Sequence, residues 1–281
     1  MARKAAKKPG TAVANWKSQL AEQAEIAKGM EKSVGSSAFF SIRGGQLTYN
    51  DQSVPGNEMI VVVLDYILEN KYYTERYDPD NPAIPECFAF GIDEDELQPH
   101  EDAVAPQNEF CKTCDWNKYK SGENGKGKAC RNSRRLALMS AGSFKHDGAE
   151  PTLNTDADFY ESADIVMLGI PPTALRGWAK YVKEVVGLYG VPPLGVFTHV
   201  KVQPHATNQV EITFAHIGEV TDEMGAMLMQ RQDALRNSGE LVQPYIPIEE
   251  DDAPPARRKA PARKRAPAKK KATGKSRGSK Y

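Results

Sequence analysis

All four cysteines of this 281-residue chain lie between Cys87 and Cys130, and this clustering constrains the fold more than any other feature. Cys111 and Cys114 form a C-x2-C pair, and Cys130 follows 16 positions later. In a reducing compartment, such a pair favours metal binding over disulfide formation. A metal held by these thiols would fix both ends of a long loop to the rest of the domain.

Zinc is the metal that fits these thiols best, because tetrahedral Zn2+ accepts cysteine sulfur at about 2.3 Å and a C-x2-C turn supplies two such ligands. Cys111, Cys114 and Cys130 give three ligands. Cys87 is the leading fourth ligand, because it lies near the start of the same loop, 87–135. His100 is the alternative fourth ligand. The competing interpretation is that all four are ordinary buried or loop thiols.

The surrounding residues do not support a catalytic zinc, and we expect no enzymatic activity. Zinc deaminases combine H-x-E with P-C-x-x-C, whereas here Glu101 directly follows His100 and Phe110 precedes Cys111. The chain contains neither a P-loop nor an H-E-x-x-H sequence. The remaining enzymatic hypothesis is a magnesium-dependent nuclease. It would use the acidic run Asp93, Glu94, Asp95 and Glu96.

The formal net charge of zero conceals a strong separation of charge along the chain. Residues 253–281 carry 12 Lys/Arg and no Asp/Glu, which leaves 25 basic and 37 acidic residues in 1–252. A second basic end comprises Arg3, Lys4, Lys7 and Lys8. Asymmetry of this kind indicates a polyanionic partner for the terminal segments. The alternative is that both segments are only solvated.

Residues 112–135 are locally basic, with eight Lys/Arg against Asp115 and Glu123, and they include two aromatic side chains. A second aromatic and basic run spans residues 66–77. Cations can follow the phosphates of a nucleic acid while aromatic rings stack on unpaired bases. The alternative is that the tyrosines pack in the core and the charges form a solvated loop. The predicted nucleic-acid contacts are Arg43, Lys71, Tyr72, Tyr73, Arg76, Tyr77, Lys112, Trp116, Lys118, Tyr119, Lys120, Lys126, Lys128, Arg131, Arg134 and Arg135.

The remaining pattern predicts a mainly β protein with some α-helix (α+β). Segments 38–50, 58–77, 84–91, 134–142 and 163–170 are rich in strand-forming residues, and the alternation in 196–202 and 209–217 predicts a hairpin. Apolar residues at helical spacing predict one main amphipathic helix over 171–190, and a shorter helix over 222–237. A small OB-like antiparallel barrel with a zinc-loop excursion fits this pattern, and a sandwich is the alternative.

Three regions follow from composition. Residues 1–35 form a flexible basic arm with one predicted helix, residues 36–245 form the nucleic-acid-binding domain, and residues 246–281 form a disordered tail, acidic and then rich in Lys, Arg, Ala and Pro. No stretch reaches the ~18 apolar residues of a membrane span, and the N-terminus lacks the apolar segment of a secretory signal. We expect a cytoplasmic protein with no membrane partner.

The stretch CKTCDWNKYKSGENGKGKACRNSRRLALM, with LRGWAKYVKEVVGLYGVPPLGVFTHVKV downstream, resembles single-stranded DNA-binding proteins of tailed bacteriophages. The resemblance covers about residues 38–215 and includes C-x2-C, G-K-G-K-x-C, R-R-L-A and a W-x-x-Y-V helix. It implies an OB-like fold, cooperative coating of unwound DNA and zinc at Cys111, Cys114 and Cys130 with Cys87. Such proteins commonly end in an acidic segment, whereas the acidic residues 249–252 here precede a basic run.

These features lead to one main functional hypothesis and one alternative. The first is a single-stranded DNA-binding protein of phage replication or recombination, without strong sequence specificity. Its basic tail would add affinity for duplex DNA, and replication proteins would be further partners. The alternative is a zinc-ribbon protein of transcription that prefers duplex DNA or a polymerase partner.

Overall fold

A computed structural model of the chain describes residue 23 and residues 39–43, 45–49, 52–75, 83–144, 150–206 and 209–244. The predicted N-terminal helix, apart from residue 23, and the predicted disordered tail 246–281 lie outside these ranges. The described chain is mixed α/β and dominated by one ten-stranded sheet. The strands are β1 (Phe39–Arg43), β2 (Gln46–Tyr49), β3 (Gln52–Ser53), β4 (Glu58–Tyr72), β5 (Cys87–Gly91), β6 (Arg131–Ser143), β7 (Thr152–Leu153), β8 (Ile165–Ile170), β9 (Val196–His205) and β10 (Gln209–Glu219). The α-helices are α1 (Ala157–Ser162), α2 (Leu175–Tyr189) and α3 (Asp222–Ser238).

The sheet has the order β10-β9-β4-β6-β8-β1-β2-β3, with β5 added to β4 and β7 added to β6. The β1–β8 pair is parallel, and the other described pairs are antiparallel. The long strands β4 and β6 lie at the centre of the sheet. They pair from Ile60↔Gly142 to Lys71↔Arg131, and the register shifts at two points between these pairs. The zinc loop predicted from the cysteines connects β5 to β6 at the end of the sheet where β4 finishes.

Both faces of the sheet are covered, which explains why the sequence of β4 is an almost continuous apolar run. One face packs Val61, Val63, Leu136 and Leu138 against α2, mainly through Trp178. The other face packs against α3. The residues that form that second layer are Ile60, Val62, Leu64, Ala137, Met139, Met224, Leu228 and Leu235. Strand β4 is therefore buried between two layers of side chains.

The small closed OB-like barrel predicted from the sequence is not what the described residues form. The strands make one open sheet, and its two end strands, β10 and β3, do not pair with each other within the described ranges. The sheet does curl at one end, because the turn at Gly45 (φ +81°) packs on β9, where a Cβ at Gly45 would lie 3.3 Å from Pro204 Cγ. A layer of helix on each face replaces the closed interior that a barrel would have.

The predicted helices and hairpin are confirmed. Helix α2 follows a turn that begins at Pro172, and it ends at Gly190, whose φ of +71° suits a residue without a Cβ. Helix α3 begins after Thr221, whose side chain accepts a hydrogen bond from the Met224 N–H, and it ends at Gly239. Strands β9 and β10 pair antiparallel over almost their whole length, with one bulge near His216.

Candidate metal centre and nucleic-acid interface

The four cysteines meet at the end of the sheet where β4 finishes. Cys87 is the first residue of β5 and pairs with Tyr72, the last residue of β4. Cys130 directly precedes β6, so the loop that carries Cys111 and Cys114 begins and ends on neighbouring strands. All four thiols are free and buried. They line one small cavity together with Asn70, Tyr72, Phe88, Ala89, Pro99, Gln107, Asn108, Trp116 and Asn117.

Backbone hydrogen bonds shape the C-x2-C pair into a tight turn. The Cys114 N–H donates to the Cys111 carbonyl at 3.4 Å, and the Asn117 N–H donates to the Cys114 carbonyl at 3.1 Å. The Asn117 side chain also donates to the Cys111 carbonyl at 2.8 Å. The Cys130 N–H donates to the Trp116 carbonyl at 2.8 Å, which ties the second half of the loop to the first.

Burial and mutual charge set the acidity of these thiols. Burial, together with the charges of the other three cysteines, raises the pKa of Cys130 to about 12, although Lys128 opposes this rise. Burial also raises the pKa of Cys111 to about 11, opposed by a hydrogen bond from the Asn70 side chain. Burial raises the pKa of Cys87, opposed by a hydrogen bond from the Gln107 backbone. Each of these thiols therefore feels the charge of its neighbours across the same small cavity.

Two asparagines orient the donor that faces Cys111. The Asn132 side chain donates to the Asn70 Oδ1 atom at 2.6 Å, which leaves the Asn70 amide nitrogen to donate to the Cys111 sulfur. N–H donors of this kind stabilise thiolates and orient the ligands of a metal. Sequence reasoning missed Asn70 and Asn132. The sequence did contain a signal. Asn70 lies two residues before Tyr72 and Asn132 lies two residues after Cys130, and residues two positions apart in an extended segment share a face.

The chemistry and size of this cavity fit a single zinc ion, although the thiols are not in coordination geometry. Within the described ranges, no group of three or more His, Cys, Asp or Glu side chains is arranged to hold a metal as it stands. The cavity nevertheless contains four sulfurs and has a volume of about 10 Å3, which is close to that of one water-sized sphere.

His100, the alternative fourth ligand, does not line this cavity. Its ring stacks on Phe88 at a centroid distance of 5.2 Å and meets the edge of Phe90 at 5.8 Å. Its Nδ1 atom accepts a hydrogen bond from the Asp102 N–H at 3.2 Å. The imidazole therefore belongs to an aromatic cluster on the same loop, and Cys87 is the better fourth ligand.

We expect the stability of the metal-free protein to fall as pH rises above about 9. Unfolded thiols have a pKa of about 8.5, whereas burial keeps the pKa of Cys111 and Cys130 near 11 and 12 in the folded state. A raised folded-state pKa contributes stability that is complete below the unfolded pKa and is lost as pH rises towards the folded pKa. Urea unfolding at pH 7, 9 and 10.5 in the presence of a chelator measures this decline. The zinc-loaded protein provides the comparison, since its thiolates no longer titrate, and an equal decline in both forms would contradict the assignment.

Trp116 and Tyr72 form a stacked pair beside the cysteines. Their ring centroids lie 5.2 Å apart at an interplanar angle of 25°. Tyr72 is buried, whereas Trp116 is 41% exposed and Tyr119 is 75% exposed. The prediction that Tyr72 stacks on bases is wrong, because Trp116 covers its ring and leaves it buried. The outer surface of the indole and the Tyr119 ring are the aromatic groups of the loop that a ligand can reach.

The loop lysines are exposed, and acids neutralise only some of them. Lys112 pairs with Asp95 at 2.8 Å, and Lys118 pairs with Asp115 in its own turn. Lys128 donates to the Asn117 side-chain oxygen at 3.1 Å. Among the described residues, Lys120 and Lys126 form no ion pair with an acid. The paired acids raise the pKa of Lys112 and of Lys118, mainly through hydrogen bonds, so both remain charged at neutral pH.

The two arginines at the start of β6 occupy different environments, and the prediction of Arg135 as a DNA contact is wrong. Arg135 is 2% exposed and donates two hydrogen bonds to the equally buried Glu69, at 2.8 and 3.1 Å. It also donates to the carbonyls of Leu241 and Gln243. Arg134 is partly buried, and burial lowers its pKa, opposed mainly by the charge of Glu94.

Three of the remaining predicted contacts, Lys71, Tyr73 and Arg131, lie near the same end of the sheet. Lys71 is the penultimate residue of β4, Tyr73 follows that strand, and Arg131 pairs with Lys71 across β6. Arg43 ends β1, but its side chain lies outside the described part of the structure. Arg76 and Tyr77 also lie outside it. The acidic run 93–96 is exposed, and Asp95 there is paired with Lys112.

Comparison of the chain with protein-family models, with curated proteins and with solved structures found no match. No described helix has both the length and the apolar character that a membrane crossing needs.

Proposed function

We propose that this protein binds single-stranded DNA without strong sequence specificity, and that it acts as a zinc-stabilised binding protein and not as an enzyme. The observation that carries this proposal is the position of Trp116. Its indole is partly exposed, backed by the buried ring of Tyr72, on the loop that contains the cysteines and several exposed lysines. We infer a role in phage DNA replication or recombination from the sequence resemblance, with the host cytoplasm as the compartment.

The charges near Trp116 suit the phosphate backbone of a single strand. Lys120, Lys126 and Lys128 are exposed on the same loop, and the exposed Arg131 follows directly after Cys130. Each phosphate that a cation neutralises releases counterions, which steepens the salt dependence of binding by about 0.7 per contact on single strands. Lys112 and Lys118 can exchange their exposed acidic partners for phosphate, because exposed ion pairs contribute only about 0–1 kcal/mol.

Single strands are favoured over duplex because stacking requires an unpaired base. Every base has a π-face, so stacking on Trp116 or Tyr119 adds about 1–3 kcal/mol per base without reading sequence. The curl of the sheet, in which Gly45 packs on Pro204, supports an OB-like path for the strand across this end.

Zinc would act structurally in this proposal. Cys87, Cys111, Cys114 and Cys130 would hold it, and it would supply a rigid cross-link between β5, the loop and β6. The chain's own contacts then place the aromatic platform, because the Cys130 N–H holds the Trp116 carbonyl at 2.8 Å. The basic residues 253–281 would add affinity for DNA of either form, including duplex. Replication proteins are the further partners that we propose.

Replacing Trp116 by alanine is expected to weaken binding of a dT oligomer about 5- to 150-fold, because one stacked base contributes about 1–3 kcal/mol. Fluorescence anisotropy with labelled dT20 and with a duplex of equal length, at several salt concentrations, measures the effect. Phe159→Ala is the matched control, because Phe159 is also an aromatic residue that is 41% exposed, and it lies on α1 away from the loop.

A chain ending at residue 252 separates the folded part from the basic tail. We expect this shortened protein to retain its preference for dT20 over duplex. Equal or tighter binding of duplex by the shortened chain would contradict the proposal and favour the zinc-ribbon alternative.

A further inference from the structure

A second cavity lies beside the thiol cluster, at the rim where β4 and β8 end and β6 begins. It has a volume of about 390 Å3, within the range of small-ligand pockets. Its charged and aromatic lining comes from Lys71, Tyr73 and Arg131, and Gly169 and Pro171 contribute to its remaining wall. These residues come from three separate segments that only the folded sheet brings together.

Strand alternation separates this cavity from the thiol cluster. Side chains of successive residues in a strand point to opposite faces of the sheet. Tyr72 and Cys130 face the thiol cavity, whereas Lys71 and Arg131 line the second cavity. The two sites are therefore on opposite sides of the same pair of strand ends, only one residue apart along each strand.

Two cations, Lys71 and Arg131, line the second cavity. Lys71 pairs with Glu69 at 2.7 Å, and the same carboxylate also accepts from the buried Arg135. Arg131 is exposed, its guanidinium lies 5.5 Å from the centre of the Tyr73 ring, and it makes no ion pair within the described residues. A cation beside an aromatic ring suits a ligand that has both a phosphate and a flat base.

The wall at Gly169 leaves room for such a ligand. Gly169 is an exposed residue of β8, and a Cβ built there would meet only Glu69 Oε2, at 4.0 Å. Gly142, at the other end of β6, has no such room, because a Cβ there would lie 2.4 Å from the Thr152 carbonyl oxygen. A side chain at position 169 can therefore enter the cavity without disturbing the backbone around it.

We propose that this second cavity binds one nucleotide of the single strand, with its phosphate against Arg131 and Lys71 and its base against Tyr73 and Pro171. This inference rests on the proposed function and extends it. The strand would pass from Trp116 over the ends of β4 and β6 into the cavity. Two contact points on opposite sides of one strand pair would fix the direction in which the DNA crosses the sheet.

The variant Gly169→Val tests this inference by filling the cavity. Valine is favoured in strands, so we expect the variant to keep its thermal unfolding midpoint and its zinc content, while its affinity for dT20 falls by about tenfold or more. The matched control is Ala215→Val, which adds a β-branched side chain at an exposed position of β10, opposite His199 and away from the cavity. This control should bind dT20 like the wild type.

The outcomes separate this inference from the proposed function. If the wild type binds dT20, Trp116→Ala weakens binding and Gly169→Val does not, the second cavity is not part of the DNA path and the inference fails alone. If the wild type does not bind dT20, both fail. Photocrosslinking of 5-iodouracil in a dT oligomer should label the peptide that contains Tyr73, and the label should decrease in Gly169→Val.

Free nucleotide is the other source of the same chemistry. We expect thymidine monophosphate at millimolar concentration to compete only weakly with dT20, because a single unit lacks the contacts with the zinc loop. Tight binding of thymidine monophosphate, abolished by Gly169→Val while dT20 binding is unchanged, would show a small-molecule site and overturn the inference.

Discussion

Cys114→Ser is expected to eliminate bound zinc and most of the affinity for single-stranded DNA. The wild type, purified under reducing conditions, should contain about one zinc ion per chain, because four thiols line one ion-sized cavity. A serine at position 114 removes one ligand and leaves three thiols, too few for a closed structural site. Because the loop that places Trp116 is built around this cluster, DNA affinity should fall with the zinc content. Elemental analysis of each purified protein, followed by dT20 titration, measures both.

Thr113→Ser is the matched control for this experiment. It makes the smallest change at an exposed neighbour of Cys114 and keeps the hydroxyl that accepts from the Asn108 side chain at 2.8 Å. This control should retain zinc and bind dT20 like the wild type. Equal zinc content in Cys114→Ser and the wild type, or no zinc in either, would refute a structural zinc at this cluster.

Arg135→Met is expected to lower the free energy of unfolding by about 3–5 kcal/mol, because it leaves the buried Glu69 carboxylate without its main partner. Arg135 and Glu69 are each 2% exposed, and Lys71 can compensate only from the more exposed side of the carboxylate. The carbonyls of Leu241 and Gln243 also lose the donor that holds the end of the described chain on β6. Urea denaturation followed by circular dichroism provides the measurement.

Two further variants identify the cause of this loss. Arg134→Met changes the neighbouring, partly buried arginine, whose described hydrogen bond is to the Ser133 carbonyl, and it should cost much less. The double variant Glu69→Leu/Arg135→Met removes both charges and should recover part of the loss, because no unpaired charge remains buried. A double variant at least as unstable as Arg135→Met would show that packing, and not the ion pair, determines the effect.

The local elements were predictable from the sequence because their periodicity is strong. The apolar spacing of 175–189, between Pro172 and Gly190, identified α2, and the alternation around 205–209 identified the β9–β10 hairpin. The clustering of the cysteines was also a sound guide, because the structure brings all four around one cavity. In each case, residues close in sequence determined the outcome.

The arrangement of the strands and the fate of Arg135 were not predictable in the same way. The sheet is open because helices cover both of its faces, and the apolar pattern of α3 is too weak to show that it packs on β4 and β6. Arg135 resembled a surface cation beside Arg134 because its partner, Glu69, lies 66 positions away. Glu69 was the signal in the sequence for this ion pair. A carboxylate that lies within a mainly apolar, buried strand requires a cation as its partner.

Arg135 contacts both the first described strand and the last described segment of the fold, which makes the order of the segments exchangeable. The guanidinium lies 5.5 Å from the Phe39 ring at the start of β1 and 3.0 Å from the Gln243 carbonyl. A linker of about five residues, at about 3.3 Å each, would span such a gap, so a circularly permuted chain could begin in the turn between β9 and β10. Attaching residues 253–281 at that new end would join the basic tail to the turn between β9 and β10, close to Gly45, which packs on Pro204. The contribution of the tail would then depend on its position and not on its charge alone.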